Sequence, residues 1–388
     1  MRDFNFYTPT KIYFGKGKEA LIGEIIKGYG FKKIMLQYGM GSIKKSGLFD
    51  TVMASLTENG IEVIEMGGVE PNPKYDFINE AIKVAKAEKV ELILAVGGGS
   101  VIDSSKYTAI GAASGLDVFE VAMGRAKPDK ALPVCCILTI SAAGSEMSAS
   151  AVLTNSELGI KKGMGGDFLR PLFSILNPEL TYSVSPYQTA CGISDIMAHT
   201  MERYFFPCDD TPITDRIAEG LLKAVVESGR VVMTEPNNYE ARADIMWASS
   251  LSHNNLTGCG RENALAVHQL EHALSGLFDH IAHGAGLAVL FPAWCRFAYK
   301  ENIKRFAQFA RGVFDIREEN DEAAAVLGIE ALEGFFKEIG MPQKLREFDI
   351  PNESAALAEL CTMNRTRTIK SYLEIDAQLA KEIFDFCY

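Results

Sequence analysis

Apolar runs of strand length alternate with stretches of helical period through the first half of the chain. Lys33 to Tyr38, Ile61 to Met66, Glu91 to Val96 and Leu132 to Thr139 read as short strands. Lys18 to Lys27, Lys44 to Asn59, Tyr75 to Glu88 and Val101 to Ala113 read as helices between them. Phe4 to Phe14 alternates aromatic and polar residues up to Gly15, the pattern of a hairpin. Strand–helix alternation predicts a parallel sheet covered on both faces. The character changes at Ser185-Pro186, an N-cap followed by Pro at the first helical position. From there the period is helical almost to Tyr388, and no strand run stands out. The pattern therefore predicts an α/β domain over 1–185 and an all-α domain over 186–388, packed with a cleft between them.

A chain of 388 residues has ample length for two such cores. The balance of 39 Lys+Arg against 50 Asp+Glu gives a net charge of -11, and the basic clusters are short pairs such as Lys32-Lys33 and Lys161-Lys162. An acidic chain of this kind is expected to bind neither nucleic acid nor an anionic membrane. No uninterrupted apolar run approaches membrane-spanning length. The eight Cys are spread thinly without a CxxC, as expected of reduced thiols in a cytoplasmic protein, and the N-terminus has no signal-peptide pattern.

Two Gly-rich turns follow predicted strands and open predicted helices: Gly39-Met40-Gly41-Ser42 and Gly97-Gly98-Gly99-Ser100, the latter with Asp103 one turn on. Either could be an ordinary βα loop, with Ser100 and Asp103 as a variant capping box. Two of them after neighbouring strands suit one dinucleotide, with its pyrophosphate at a helix N-terminus. No acid occurs between Lys33 and Lys45 to take the ribose hydroxyls, which favours NADP(H) over NAD(H).

Four of the six His fall within residues 268–283, and His253 reads as an ordinary core or surface residue. Asp195 and His199 stand i, i+4 on one predicted helix, and His268 and His272 on another. Each pair shares one helix face, so it could supply two ligands of a metal, or one ligand and a neighbouring acid–base group. For a further ligand the chain offers His280 and His283. The junction of a return loop with the helix opening at Gly284-Ala285-Gly286 points to His283, with His280 at the surface or in the outer shell. A divalent ion held by one carboxylate and three neutral imidazoles keeps net positive charge, which suits a polarised carbonyl oxygen.

With these residues in view, the sequence resembles the iron-containing (group III) alcohol dehydrogenase family, in its butanol dehydrogenase-like branch. The matching stretches are Gly39 to Gly47, Val69 to Pro73, Gly97 to Ser100 with Asp103 and Lys106, Ala143 to Met147, Asp195 to His199 with Glu202, His268 to His272, and His283-Gly284. The resemblance implies the dehydroquinate synthase-like fold, with a Rossmann-like N-terminal domain and a helical C-terminal domain, a metal in the cleft, and hydride transfer between NAD(P)H and an aldehyde or primary alcohol. It implies Fe²⁺, or Zn²⁺ in its place, on Asp195, His199, His268 and His283, with His272 close to the reacting carbon. It further implies cofactor contacts from Gly39, Met40, Gly41, Ser42, Asn72, Gly98, Gly99, Ser100, Asp103, Thr139, Ser145 and Lys161, and a homodimer. The sequence departs from the family pattern at Ile140-Ser141-Ala142-Ala143, at Asn177-Pro178, and in Asp279 to His283, one residue longer than usual. The rival reading is a polyol dehydrogenase or lyase of the dehydroquinate synthase-like superfamily. No Arg/Lys cluster near the histidines other than Arg261 offers such a pocket its charges.

Overall fold

The computed structural model describes residues 1–208, 211–262 and 264–388. The chain divides into two compact units, residues 7–184 and residues 1–6 with 185–388.

In the first unit, strands β1 (Lys11–Phe14), β2 (Lys33–Gly39), β3 (Glu62–Val69), β4 (Leu92–Gly97) and β5 (Val134–Leu138) join β8 (Phe173–Leu176) in one parallel sheet. Its order is β1-β8-β5-β4-β2-β3. Strands β6 (Ser150–Asn155) and β7 (Ile160–Gly165) form a separate antiparallel ribbon. The helices are α1 (Ile22–Gly28), α2 (Ser42–Lys45), α3 (Leu48–Glu58), α4 (Tyr75–Ala87), α5 (Gly99–Ser114) and α6 (Val118–Ala122). Ile34, Leu36, Leu92, Leu94 and Val96 are wholly buried, because a parallel strand under helices meets no water on either face. Ile22, Ile26, Val52 and Leu56 of α1 and α3 pack with these strands, while α4, α5 and α6 build a second cluster with Ala151 and Leu153 of β6.

The second unit is helical: α7 (Pro186–Tyr204), α8 (Pro212–Thr234), α9 (Tyr239–His253), α10 (Ala266–Leu277), α11 (His283–Ala298), α12 (Ile303–Phe314), α13 (Asp321–Glu338), α14 (Ser354–Cys361) and α15 (Ala377–Cys387). Ser185 caps α7 by accepting from Gln188 N at 3.3 Å, with Pro186 in the first turn. One core joins Ile193 and Met197 of α7 to Leu270 and Leu274 of α10, Leu287 and Phe291 of α11, and the aromatics of α12 and α13.

Two expectations change. Phe4 to Phe14 is not a hairpin: only Lys11–Phe14 is strand, paired in parallel with the distant β8. The predicted helix over Lys44 to Asn59 is two helices, parted at Gly47, whose φ of 79° is left-handed. The β6–β7 ribbon was not foreseen. All eight cysteines are free thiols, and no described helix is long and apolar enough to cross a membrane.

Candidate active site

The parallel sheet places the two Gly-rich turns side by side. Tyr38 pairs with Val96, so β2 and β4 end together, and Thr139 beyond β5 donates its N–H to Gly97 O at 3.1 Å. Gly98 is fixed by packing: a Cβ there would lie 2.2 Å from Cγ2 of Ile140. Gly99 opens α5, a sixteen-residue helix with no side chain capping its first turn. Its N–H groups are the positive end of a helix, suited to a phosphate. Ser100 lies in that first turn. Gly39, Met40, Gly41 and Ser42 form the neighbouring turn, where Met40 is 75% exposed and Gly41 has φ 111°. Asn72, at φ 55°, precedes Pro73, whose carbonyl accepts from Thr154 N at 2.8 Å. Thr154 of β6 in turn pairs across the ribbon with Lys161 of β7, so the loop that carries Asn72 is joined through Pro73 to the ribbon that carries Lys161.

Asp103 and Ser145 are engaged with the protein itself. Ser145 Oγ donates to Asp103 Oδ1 at 2.5 Å, and Val152 N donates to Oδ2 at 2.8 Å. Lys106, one helical turn on and 1% exposed, donates to Ser145 O and Oγ, Ser148 O and Oγ, and Ser150 O at 2.7–3.3 Å. Burial pushes the Asp103 pKa up and the Lys106 pKa down, and each charge opposes the other's shift. The pair on α5 therefore clamps the 145–152 segment.

In the helical unit, α7, α10 and α11 bring four predicted residues together. Asp195 Oδ1 lies 3.2 Å from His199 Nδ1, 3.4 Å from His268 Nε2 and 3.8 Å from His283 Nε2. Asp195, His199 and His268 are buried, and His283 opens α11. That start is possible because of Gly284, where a Cβ would lie 2.0 Å from the Cys191 carbonyl oxygen of α7. His272 lies beyond, its ring centroid 5.5 Å from that of His283. His280 is exposed, with Nε2 3.4 Å from Phe348 O.

The outer contacts were not assigned from sequence. His268 Nδ1 meets Glu202 Oε2 at 2.5 Å, and Glu202 Oε1 accepts from the Val267 and His268 N–H groups. His283 Nδ1 meets Glu271 Oε2. Both rings thus turn one nitrogen to a carboxylate and the other toward Asp195, the arrangement that sets a metal-ligating tautomer. Burial opposes charge on His268, yet Glu202 and Asp195 hold its pKa up at about 9 in the metal-free chain. Burial, then the neighbouring histidines and Arg203, hold His199 well below its ordinary value, so it is neutral.

These residues fit a divalent ion. His199 Nδ1 is buried and has no hydrogen-bond partner among the described residues, since its 3.2 Å approach to Asp195 lacks hydrogen-bond alignment. An unsatisfied buried group of this kind costs about 1–3 kcal/mol, and a cation would satisfy it. Three imidazole nitrogens and one carboxylate form a set that first-row divalent metals accept.

A helix N-terminus at the edge of a parallel sheet suits a phosphate, and three imidazoles with one carboxylate suit a divalent ion, a pairing that fits the class of metal-dependent, nucleotide-linked oxidoreductases. The comparisons agree. The family model for iron-containing alcohol dehydrogenase matches residues 9–178, and the model for the C-terminal part of that family matches 189–385. NADH-dependent butanol dehydrogenase A of Clostridium acetobutylicum is 40% identical over 391 residues, covering 100% of both chains. The NADPH-dependent aldehyde reductase YqhD of Escherichia coli is 36% identical over 357 residues, 91% of each chain. The crystal structure of NADH-dependent butanol dehydrogenase A from Thermotoga maritima superposes with a TM-score of 0.96 at 38% identity, over 100% of this chain and 99% of that one. The chain belongs to the iron-containing alcohol dehydrogenase family. It is accordingly a metal-dependent NAD(P)H oxidoreductase of aldehydes and alcohols.

Proposed function

We propose that this chain interconverts short aliphatic aldehydes and primary alcohols, butanal and butanol among them, with Fe²⁺ held by Asp195, His199, His268 and His283. The observation that carries the reading is the convergence of three imidazole nitrogens within 3.8 Å of Asp195 Oδ1, two of the rings backed by carboxylates. The relatives named as butanol dehydrogenases support the substrate class.

Reduction adds a hydride to the carbonyl carbon and a proton to its oxygen. When bound, the reduced nucleotide supplies the hydride and the divalent ion supplies the positive pole that polarises the C–O bond. Glu202 and Glu271 hold the His268 and His283 tautomers, and His272 supplies the proton to the product oxygen. The turns at Gly39–Ser42 and Gly98–Ser100 take the pyrophosphate. Asn72, Thr139 and Lys161 contact the remainder of the nucleotide, and Asp103 with Ser145 hold the segment beside it. The lack of any acid between Lys33 and Lys45, the segment that carries exposed Met40, supports NADPH over NADH, because this turn itself offers no carboxylate to repel a 2′-phosphate. The protein acts in the cytoplasm as a homodimer, for which the exposed Phe4, Phe6 and Tyr7 offer contact surface.

The test is NADPH oxidation with butanal by protein purified without oxygen, before and after chelation. Turnover should vanish on chelation and return with Fe²⁺, and in part with Zn²⁺. Full activity in metal-free protein would refute the metal site, and turnover of polyols but not butanal would favour the rival reading.

A further inference from the structure

The three histidines around Asp195 are not supported alike. His268 leans on Glu202 and His283 on Glu271. The His199 ring instead lies against His253, with centroids 3.9 Å apart and planes tilted by 59°. His253 is the last residue of α9, a helix that supplies none of the other site residues. Its Nδ1 is 3.1 Å from Arg203 Nη2. A guanidinium has no acceptor, so Nδ1 accepts and the neutral His253 ring carries its proton on Nε2. The same guanidinium donates from Nη1 to the carbonyls of His199, at 2.5 Å, and Ser252, at 3.0 Å. Arg203 thus joins the backbone of His199 to the ring packed on its side chain, and at 1% exposure it is shut off from bulk solvent.

We infer that His253 and Arg203 are positioning residues for His199, holding its imidazole for the divalent ion where a carboxylate does so for the other two rings. The inference rests on the ligand set proposed above. It differs from a mere core-filling role, in which any apolar side chain of similar size would serve at 253. Outer contacts of this kind are typically worth about 10–100-fold in metal affinity. They also make His199 the ligand with a cationic rather than an anionic support.

The experiment follows release of Zn²⁺ from the loaded full-length protein to a colorimetric chelator, alongside thermal unfolding of the metal-free form. His253→Leu fills the space but offers Arg203 no acceptor and His199 no ring. It should release metal at least tenfold faster than wild type, with unfolding of the metal-free form little changed. His253→Gln restores an acceptor for Arg203 and should recover part of the loss. If His253→Leu does not fold, His253→Phe takes its place, since it keeps a ring but leaves Arg203 without an acceptor, and the same acceleration is expected. Wild-type release from the Leu or Phe variant, or a Gln variant no slower than Leu, would overturn the inference. His268→Ala is the control: if it holds metal as wild type does, the ligand set itself is wrong.

Discussion

Gly284→Ala tests whether the α7–α11 contact sets the position of His283. The added Cβ would lie 2.0 Å from the Cys191 carbonyl oxygen, 2.6 Å from its carbon and 2.8 Å from Cys191 Cα. All three are backbone atoms of α7, so no flexible side chain can swing aside. Real Cβ contacts stay beyond 3.0 Å, so the helices must part by about 1 Å. Forcing a methyl into packed helices costs about 1–3 kcal/mol. Alanine regains up to about 1 kcal/mol of helix propensity, less in a first turn than in a helix interior. A net loss of about 1–2 kcal/mol lowers Tm by roughly 2–8 °C for a domain of this size. The adjacent residue is His283, already 3.8 Å from Asp195 Oδ1, so a shift of about 1 Å at α11 moves it in the same measure as the opening. Metal release to a chelator should accelerate at least tenfold. Gly334→Ala in α13 is the control, because a Cβ there meets nothing within 4 Å; it should leave Tm unchanged or slightly raised. If Gly284→Ala matches wild type in both Tm and metal release, the close approach of the helices does not position the ligand.

Two further outcomes are expected. Lys106→Met leaves Asp103 without its cation and the 145–150 oxygens without their donor; breaking a buried pair costs about 3–5 kcal/mol, so Tm should fall by roughly 6–20 °C, and a fall of under about 2 °C would show that the clamp is not structural. Met40→Asp places a carboxylate in the exposed turn after β2, and repulsion on the order of 1–2 kcal/mol should shift the NADPH:NADH ratio of kcat/KM roughly tenfold toward NADH; a wild type that already favours NADH would refute the preference.

The strands β2, β4 and β5 were legible because a strand buried under helices on both sides is apolar almost throughout, and Gly39 and Gly97 end the first two runs while Pro133 opens the third. The ribbon was not legible for the opposite reason. In β7, Ile160-Lys161-Lys162-Gly163-Met164-Gly165 is half solvated and looks like a charged loop. The strand β1 misled because its partner β8 lies some 160 residues on in the chain, and nothing local distinguishes a parallel edge from a hairpin arm.

The helical site shows the same division in sharper form. Spacing i, i+4 marked Asp195 with His199 and His268 with His272, because a helix face is a local property. Glu202 and Glu271 stood within matching stretches without a role, Arg203 drew no reading, and His253 read as an ordinary core or surface residue, because burial is not local. Every residue of α7 from Thr189 to Tyr204 is buried, so the helix has no solvent face on which such charges could lie. A helix of that kind must pair each ionisable group it carries, or bear a desolvation cost of several kcal/mol for each. Its partners come from three other helices: His268 and Val267 N of α10, His253 of α9, and His283 of α11. The polar centre therefore constrains four helices at once. A change to any one partner weakens the support of a buried charge on α7, and because the same helix carries Asp195 and His199, the outer residues bear on the metal site.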